Sequence, residues 1–360
     1  YLKKNFDSLY MEFNIGNRKI GIDHPTYFIA ELSCNHHGSL DKALELVRLA
    51  KEAGADAVKT QTYTGDTITL KCNKDCFKLK NTKWDDRETL WDLFNEAHTP
   101  WEWNREIKQL TERLGMDFFS SPFDETAVDH LEELNVSAYK VASMEIVDIP
   151  LLKKIASTGK PVIVSTGMAS LSEIDEAVKT LKDNGASGIT LLKCTSAYPS
   201  RPEDANLATI KNLSDTFNVV AGLSDHTLGT AVPITANALG ARIIEKHFIK
   251  SRNEGGPDSS FSLEPNELRD LVNSTKNAWL SLGDKNFERP GVEEDNIIFR
   301  RSLYFVKDLA EGAVISHDSV KSIRPGYGIA PKHFKEIIGM KVKENIEKDE
   351  PIKWENLEKN

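Results

Sequence analysis

The chain has 360 residues, of which 39% are hydrophobic and 28% are charged, and this is enough for one large domain and one small domain. The 55 Asp and Glu residues outnumber the 46 Lys and Arg residues, and the net charge of −9 argues against nucleic acid or an anionic membrane as the main partner. Four cysteines in so long a chain exclude a disulfide framework, and we expect a soluble protein of the reducing cytoplasm with no membrane span.

Short apolar or β-branched runs alternate along the chain with longer segments of helical period. This alternation is typical of repeated strand–helix units, and eight such units close a (β/α)8 TIM barrel. The first intervening helix is predicted to begin after the N-cap Ser39, to end at Gly54 and to turn Leu40, Ala43, Leu44, Val47 and Ala50 toward the strands. The eight predicted strands are centred on residues 27–29, 57–59, 117–119, 139–141, 162–164, 189–192, 219–221 and 243–245.

The composition changes after the last helix of the barrel. We predict an N-terminal extension of residues 1–15, a catalytic barrel of residues 16–284, a linker of residues 285–298 and a small β-rich domain of residues 299–360. Gly, Pro and acidic residues mark the linker, and short strand-like pieces separated by turns follow it. Between the second and third strands, residues 71–91 are predicted to be a long polar loop of the kind that covers a site.

Polar side chains gather where each predicted strand ends, which is where barrel enzymes place their catalytic groups. Burying so many unpaired charges would cost several kcal/mol, so we do not expect them in a barrel whose role is purely structural. The residues at these positions are Glu31, Lys59, Gln61, Ser120, Ser121, Lys140, Ser143, Glu145, Ser165, Thr166, Thr195, Ser196, Asp225, His226, Glu245 and His247.

Two histidines, His226 and His247, lie one strand–helix unit apart, so they are predicted to be neighbours at the ends of the last two strands. Neutral imidazoles bind Mn, Fe, Co or Zn, and a site with few protein ligands leaves positions for water and substrate oxygens. A single histidine of this kind is more often structural. The pairing at adjacent strand ends favours a metal site.

Two lysines, Lys59 and Lys140, fall within strands that are otherwise predicted to be buried, so each needs an anion. With nearby serine hydroxyls they can hold a phosphate and a carboxylate on one small molecule. Two alternatives remain open. Each lysine can pair with Glu31, Glu145 or Glu245, or one lysine can form a Schiff base as in metal-free aldolases.

Two further residues carry weak signals when judged from local sequence alone. Asp258 follows two glycines and a proline, and an ordinary turn is the simpler interpretation of that segment. Arg324 lies in a predicted loop of the small domain, where an arginine is by default solvated.

Nine ordered motifs resemble the sialic acid synthase family over residues 11–358: IAELSCNHHGSLDKAL, AGADAVKTQTY, FFSSPFD, AYKVASME, VSTGM, KCTSAYP, GLSDHT, ALGARIIEKHF and GGPDSSFSLEP. The C-terminal segment with SIRPGYG resembles the antifreeze-like (SAF) domain that is fused to these synthases. The resemblance implies a barrel that binds phosphoenolpyruvate and a divalent metal, Mn²⁺ by expectation with Mg²⁺ or Co²⁺ as alternatives. It also implies a domain-swapped homodimer.

The resemblance further implies roles for matching positions. His226 and His247 correspond to metal ligands, and Glu31 to a sugar contact. For the proton carrier of the reaction, the candidates are Glu31 and a metal-bound water. The implied phosphoenolpyruvate contacts are Lys59, Ser121, Lys140, Ser143, Ser165 and Ser196. Tyr198 and Asp258 are implied sugar contacts, and Arg324 is implied to reach the acetamido group in the site of the partner subunit.

Ser196 and Ser259 depart from the residues usual in N-acetylneuraminate synthases. Several segments are more similar to the pseudaminic acid synthases of the family, whose sugar is 2,4-diacetamido-2,4,6-trideoxy-L-altrose. N-acetylneuraminate and legionaminate synthases are the nearest alternatives. A barrel that has lost catalysis and serves for binding or assembly is an alternative of another class.

Overall fold

The computed structural model describes residues 10–80, 84, 86–283 and 286–358. Parts of the predicted extension, polar loop, linker and C-terminus therefore lie outside the described residues, namely residues 1–9, 81–83, 85, 284–285 and 359–360. The chain divides into two compact units, Tyr1–Gly283 and Asp284–Asn360.

The first unit opens with an antiparallel hairpin of β1 (Glu12–Ile15) and β2 (Arg18–Gly21). Phe13 and Ile15, which belong to the predicted extension, are buried in the same hydrophobic cluster as the barrel strands. Phe13 fills the space beside Gly188, where an added Cβ would lie 2.3 Å from the phenyl ring. The end of the predicted extension thus contributes to the core.

Eight parallel strands of the described residues form a closed barrel in which the last strand pairs with the first, and this confirms the predicted fold class. Nearly every residue of these strands is buried, because helices cover the outer face and side chains fill the interior. The barrel strands are β3 (Tyr27–Glu31), β4 (Ala57–Thr62), β5 (Asp117–Pro122), β6 (Tyr139–Val141), β7 (Val162–Ser165), β8 (Ile189–Cys194), β9 (Val220–Asp225) and β10 (Ile243–His247).

The helices of the first unit follow the strands in chain order. They are α1 (Leu40–Ala53), α2 (Gly65–Ile68), α3 (Leu90–Ala97), α4 (Trp103–Arg113), α5 (Glu125–Glu133), α6 (Ile149–Ala156), α7 (Leu171–Asp183), α8 (Thr209–Phe217), α9 (Ala231–Ala238) and α10 (Pro265–Ser281). Within the described ranges, none of the helices combines the length and apolar character that crossing a membrane requires.

The second unit contains two small antiparallel pairs, β11 (Ser302–Phe305) with β12 (Val320–Ile323) and β13 (Lys341–Val342) with β14 (Leu357–Glu358). A single short helix, α11 (Phe334–Ile337), is described here alongside several 3₁₀ turns. The unit has its own core, in which Leu303, Phe305 and Ile352 are fully buried. Residues 286–299, which precede this core in the sequence, are exposed.

Candidate active site

Strand register gathers charged side chains at the carboxyl end of the barrel. Glu31 is the last residue of β3, and it is aligned with Lys59 of β4 on one side and with His247 of β10 on the other. Glu31 and Lys59 are 0% and 3% exposed. Parallel pairing thus brings a carboxylate, an ammonium group and an imidazole from distant parts of the sequence into one layer.

The two lysines share a buried ion-pair cluster with two glutamates. Nζ of Lys59 pairs with the Glu31 carboxylate, donates a hydrogen bond to Oγ of Ser121 at 3.2 Å and lies 3.5 Å from Oε1 of Glu245. Nζ of Lys140 lies 3.8 Å from the same Glu245 oxygen. Glu31 and Glu245 are therefore counter-charges of the lysines, as one alternative from the sequence predicted.

The two carboxylates of this cluster differ in the direction of their pKa shifts. Burial raises the pKa of Glu31 even though Lys59 opposes it. Burial also acts to raise the pKa of Glu245, but Lys140 and Lys59 outweigh it and the pKa is lowered. Glu31 is consequently the weaker acid of the pair and the better suited to accept and return a proton.

The two lysines also differ in the direction of their pKa shifts. Burial lowers the pKa of Lys140, and neighbouring Glu245 offsets only part of that effect. For Lys59, burial also acts to lower the pKa, but Glu245 and Glu31 outweigh it and the pKa is raised. Lys59 is thus the more firmly charged of the two ammonium groups.

Serine hydroxyls at the ends of β6, β7 and β8 surround a pocket next to the lysines. Oγ of Ser143 accepts a hydrogen bond from the backbone N–H of Gly167 at 3.1 Å. The buried hydroxyls of Ser165 and Ser196 have no hydrogen-bond partner among the described residues. A Cβ on Gly167 would lie 2.2 Å from Oγ of Ser196 and 2.7 Å from Oγ of Ser143. Buried hydroxyls normally have partners, so this cradle is suited to an oxygen-rich ligand.

The two predicted metal ligands are neighbours, with the ring centroids of His226 and His247 5.5 Å apart. Nδ1 of His226 lies 3.0 Å from the carbonyl oxygen of Thr195, and Nδ1 of His247 lies 3.6 Å from Oδ2 of Asp258. Outer partners of this kind orient metal-binding imidazoles.

The histidine pair fits a divalent metal with few protein ligands. Imidazole nitrogens are common ligands of divalent first-row metals, and the two neighbouring rings would hold the ion together. Over the described ranges, no group of three or more His, Cys, Asp or Glu side chains is arranged to hold a metal. Water and substrate oxygens would have to complete the coordination sphere.

Aromatic side chains line the site on the histidine side. The ring of Tyr198 lies 4.3 Å from that of His226, and the ring of Phe261 lies 4.9 Å from that of His247. Trp84, from the predicted polar loop, lies 5.8 Å from Tyr198 between ring centroids and donates its indole N–H to the carbonyl of Pro257 at 3.3 Å. This part of the loop therefore lies beside the mouth of the barrel.

One cavity brings most of the predicted site residues together. Those that line it are Lys59, Ser121, Lys140, Ser143, Ser165, Tyr198, His226 and His247. Glu31 contacts Lys59, Ser196 lies beside Gly167, and Asp258 contacts Ser33 and lies near His247. Arg324 belongs to the second unit, where its side chain is exposed.

Sequence reasoning missed several residues that line the cavity, namely Ala142, Met144, Cys194 and Ser224. Gln61, which the sequence placed at a strand end without a specific role, also lines the cavity and donates to Oε1 of Glu31 at 3.0 Å. Glu245, predicted as a possible partner of the lysines, lines it as well. Burial acts to raise the pKa of the Cys194 thiol, but the neighbouring His226 outweighs it and lowers the pKa to about 7. Cys194 therefore belongs to the site.

Comparison with known families agrees with this fold. The profile of the NeuB family matches residues 46–287, and that of the SAF domain matches residues 300–358. The chain belongs to the NeuB family, which confirms the resemblance to the sialic acid synthases, and it carries a C-terminal SAF domain.

Individual relatives cover almost the whole chain. "Pseudaminic acid synthase" of Helicobacter pylori is 42% identical over 93% of this chain and 98% of its own length. "N,N'-diacetyllegionaminic acid synthase" of Legionella pneumophila is 37% identical over 95% of this chain and 99% of its own length. The crystal structure of N-acetylneuraminic acid synthetase from Leptospira borgpetersenii, in complex with citrate, has a TM-score of 0.71 and 34% identity, covering 80% of this chain and 95% of that one.

Proposed function

We propose that this protein is a pseudaminic acid synthase. It condenses phosphoenolpyruvate with 2,4-diacetamido-2,4,6-trideoxy-L-altrose and water, and it releases pseudaminic acid and phosphate. The observation that carries the proposal is one cavity with two ammonium groups and serine hydroxyls on one side and two imidazoles on the other. Its 42% identity to a relative of that name over 93% of the chain supports the choice of sugar.

Phosphoenolpyruvate occupies the lysine side of the cavity. Lys59 and Lys140 balance its negative charges, and Ser121, Ser143, Ser165 and Ser196 donate hydrogen bonds to its phosphate and carboxylate oxygens. Two of those hydroxyls, of Ser165 and Ser196, have no protein partner among the described residues. A ligand rich in acceptor oxygens would remove that cost.

A divalent metal, Mn²⁺ by preference with Mg²⁺ or Co²⁺ as alternatives, is held by His226 and His247. When bound, it supplies Lewis-acid polarisation of the open-chain sugar aldehyde. Tyr198 and Asp258 bind the sugar on the same side of the cavity, where the rings of Tyr198 and Phe261 lie against the two imidazoles.

The reaction then follows from how the residues orient the two substrates. C3 of phosphoenolpyruvate attacks the aldehyde carbon and forms the new C–C bond as the C=O π bond breaks, and water adds at C2. The proton that this water loses balances the proton that the former aldehyde oxygen gains. The tetrahedral intermediate loses phosphate by C–O cleavage and leaves a nine-carbon 2-keto acid. Glu31, whose pKa burial raises, is the candidate proton carrier, and Lys59 beside it stabilises its ionised form.

The active assembly is a domain-swapped homodimer in the cytoplasm, in which Arg324 of one subunit binds the acetamido group in the partner's site. Exposed apolar side chains at the barrel mouth, Met144, Met168 and Leu228, favour a covered rather than a solvated rim. Phe287, Val292 and Phe299 are likewise exposed in the segment before the second core. The free cysteines, Cys34, Cys72, Cys76 and Cys194, suit a reducing compartment.

A substrate panel tests the proposal. The purified protein is supplied with phosphoenolpyruvate, Mn²⁺ and each of three sugars: the altrose derivative, 2,4-diacetamido-2,4,6-trideoxy-D-mannose and N-acetylmannosamine. Released phosphate and the 2-keto acid product are measured. We expect the highest kcat/KM with the altrose derivative, and no metal-dependent turnover from His226→Ala or His247→Ala.

The panel separates the alternatives. Preference for either of the other sugars would instead make the protein a legionaminate or an N-acetylneuraminate synthase. Full activity after chelation would refute the metal assignment. If no sugar releases phosphate and phosphoenolpyruvate with Mn²⁺ does not raise the melting temperature, the barrel is a binding or assembly module.

A further inference from the structure

Ser33 has an unusual backbone conformation next to the predicted catalytic carboxylate. It lies two residues beyond Glu31, the end of β3, and its φ of 46° is in the left-handed region that residues with a Cβ rarely adopt. Ser33 is 6% exposed. Left-handed backbone at a buried non-glycine residue is retained where surrounding contacts hold it, and such positions are concentrated at functional sites.

The contacts of Ser33 account for that conformation. Its backbone N–H donates a hydrogen bond to Oε1 of Glu31 at 2.9 Å. Its hydroxyl donates a hydrogen bond to Oδ2 of Asp258, from the loop that follows β10. One residue therefore holds two carboxylates through two different groups, the amide on Glu31 and the hydroxyl on Asp258.

The loop that carries Asp258 is anchored separately through its backbone. The side-chain amide of Asn35 donates to Oγ of Ser262 at 2.9 Å, and that hydroxyl donates to the carbonyl oxygen of Asp258 at 2.7 Å. Gly255 and Gly256, with φ of 75° and 104°, precede Asp258 and give the chain freedom just before it. The Asn35 contacts thus hold the backbone of Asp258, whereas Ser33 contacts its carboxylate.

The carboxylate of Asp258 has more than one direction available. Oδ2 lies 3.6 Å from Nδ1 of His247 as well as accepting from Ser33. Without the Ser33 hydroxyl, the carboxylate could rotate further toward the imidazole. A fixed hydroxyl donor selects one orientation before substrate arrives and so lowers the ordering cost of binding.

We infer that Ser33 is a positioning residue that holds the Asp258 carboxylate in the orientation that binds the sugar. The inference rests on the proposed function, in which Asp258 contacts the acetamido sugar. Ser33 acts through Asp258 and contributes nothing to phosphoenolpyruvate binding through its hydroxyl.

Substituting glycine for Ser33 separates the effect of its hydroxyl from the effect of its backbone N–H. Ser33→Gly removes Oγ, keeps the N–H that contacts Glu31 and accommodates the left-handed φ without strain. Ser33→Ala removes the same hydroxyl but keeps the conformational cost. Asn135→Gly is the matched control, because Asn135 is also left-handed, with φ of 52°, and is exposed in the turn after α5.

Steady-state kinetics and melting temperatures of these variants test the inference. We expect Ser33→Gly to raise the KM for the sugar by about tenfold, from loss of one hydrogen bond to a charged group. The KM for phosphoenolpyruvate and the melting temperature should be retained. Ser33→Ala should show the same KM change with a lower melting temperature than Ser33→Gly, and Asn135→Gly should keep wild-type kinetics.

A double-mutant cycle tests whether Ser33 acts through Asp258. In an Asp258→Ala background, Ser33→Gly should cause no further rise in the KM for the sugar. A wild-type sugar KM in Ser33→Gly, a rise that persists without Asp258, or an equal rise in the KM for phosphoenolpyruvate would overturn the inference while leaving the proposed function intact. Failure of the wild type to use any sugar of the panel would overturn both.

Discussion

The buried cluster of Lys59, Lys140, Glu31 and Glu245 illustrates how single residues at this site serve stability and binding together. Each ammonium group would be costly without a counter-charge, and the two carboxylates provide it. An incoming anion must compete with these carboxylates for the lysines. A raised pKa at Glu31 eases that competition, because protonation of this carboxylate removes one of the two competing charges.

Glu145 leads to a prediction about the pH dependence of stability. Burial raises its pKa to about 7 from an ordinary value of 4.5, and one of its carboxylate oxygens has no partner among the described residues. The folded state therefore binds this proton more tightly than the unfolded state. The resulting stabilisation is complete below about pH 4.5 and is lost as the pH rises through 7.

Glu145→Gln should remove this loss of stability at higher pH. The difference in melting temperature between Glu145→Gln and the wild type is expected to increase in favour of the variant from pH 5 to pH 8, measured by differential scanning calorimetry without ligands. Glu133→Gln, at an exposed position of α5, is the control. A difference that stays constant with pH would show that the Glu145 carboxylate is not the source.

At the level of elements, α1 shows how far local signals determine structure. The predicted N-cap Ser39 accepts a hydrogen bond from the N–H of Lys42, and Gly54 ends the helix with φ of 95°, as predicted. The predicted inner face was only partly right, because Leu46 and Ala53 are buried while Leu40 and Leu44 are only partly buried. Caps depend on adjacent residues, whereas the buried face depends on which neighbours the helix packs against.

The turn between β7 and α7 leads to a second prediction, which concerns Gly167. In Gly167→Ala the new methyl group would overlap the hydroxyls of Ser196 and Ser143, which lie 2.2 and 2.7 Å from the added Cβ. Both hydroxyls can rotate away, so we expect the fold to survive and the phosphoenolpyruvate cradle to be lost. The KM for phosphoenolpyruvate should rise by at least about tenfold, equivalent to about 1.4 kcal/mol.

Melting temperature provides the control for Gly167→Ala. A second variant, Gly222→Ala in β9, would place its Cβ 2.4 Å from the backbone oxygen of Ile243, which cannot move aside. It should destabilise the barrel by about 1–3 kcal/mol. If Gly167→Ala instead lowers stability as much as Gly222→Ala and leaves the KM for phosphoenolpyruvate unchanged, the cradle is not the binding site.

For the whole molecule, the proposed exchange of the C-terminal unit between subunits predicts complementation. Arg324→Ala alone should weaken sugar use by about 2–4 kcal/mol, as for loss of a buried hydrogen bond from a charged donor. His226→Ala alone should be inactive. A mixed dimer contains one of two sites with both an intact barrel and an intact arginine, so the isolated mixed dimer should have about half of wild-type activity.

The complementation assay distinguishes exchange from a self-contained subunit. The two variants are co-expressed with different tags, the mixed dimer is isolated by tandem affinity, and its kcat with the preferred sugar is measured. The control is a mixture of the same two variants that has not undergone subunit exchange. A mixed dimer no more active than the sum of the single variants would show that Arg324 acts in its own subunit or not at all.

The sequence by itself determined the order of elements and the chemical types at the strand ends. Strand–helix alternation predicted all eight barrel strands, because hydrophobic period and turn residues are local properties. It also singled out Lys59, Lys140, His226 and His247, since charged groups at the ends of buried strands are costly without a purpose. These four side chains line one cavity.

Only the tertiary structure decided which of those groups touch. The pairing of Lys59 with Glu31 and Glu245, the contact of Ser33 with Asp258 and the place of Cys194 beside His226 depend on register between strands far apart in sequence. In a closed barrel, the register between strands is tied to strand number, tilt and shear, which are properties of the whole barrel. The identity and order of the site residues are therefore local information, whereas their partners and their acidity arise from closure of the barrel.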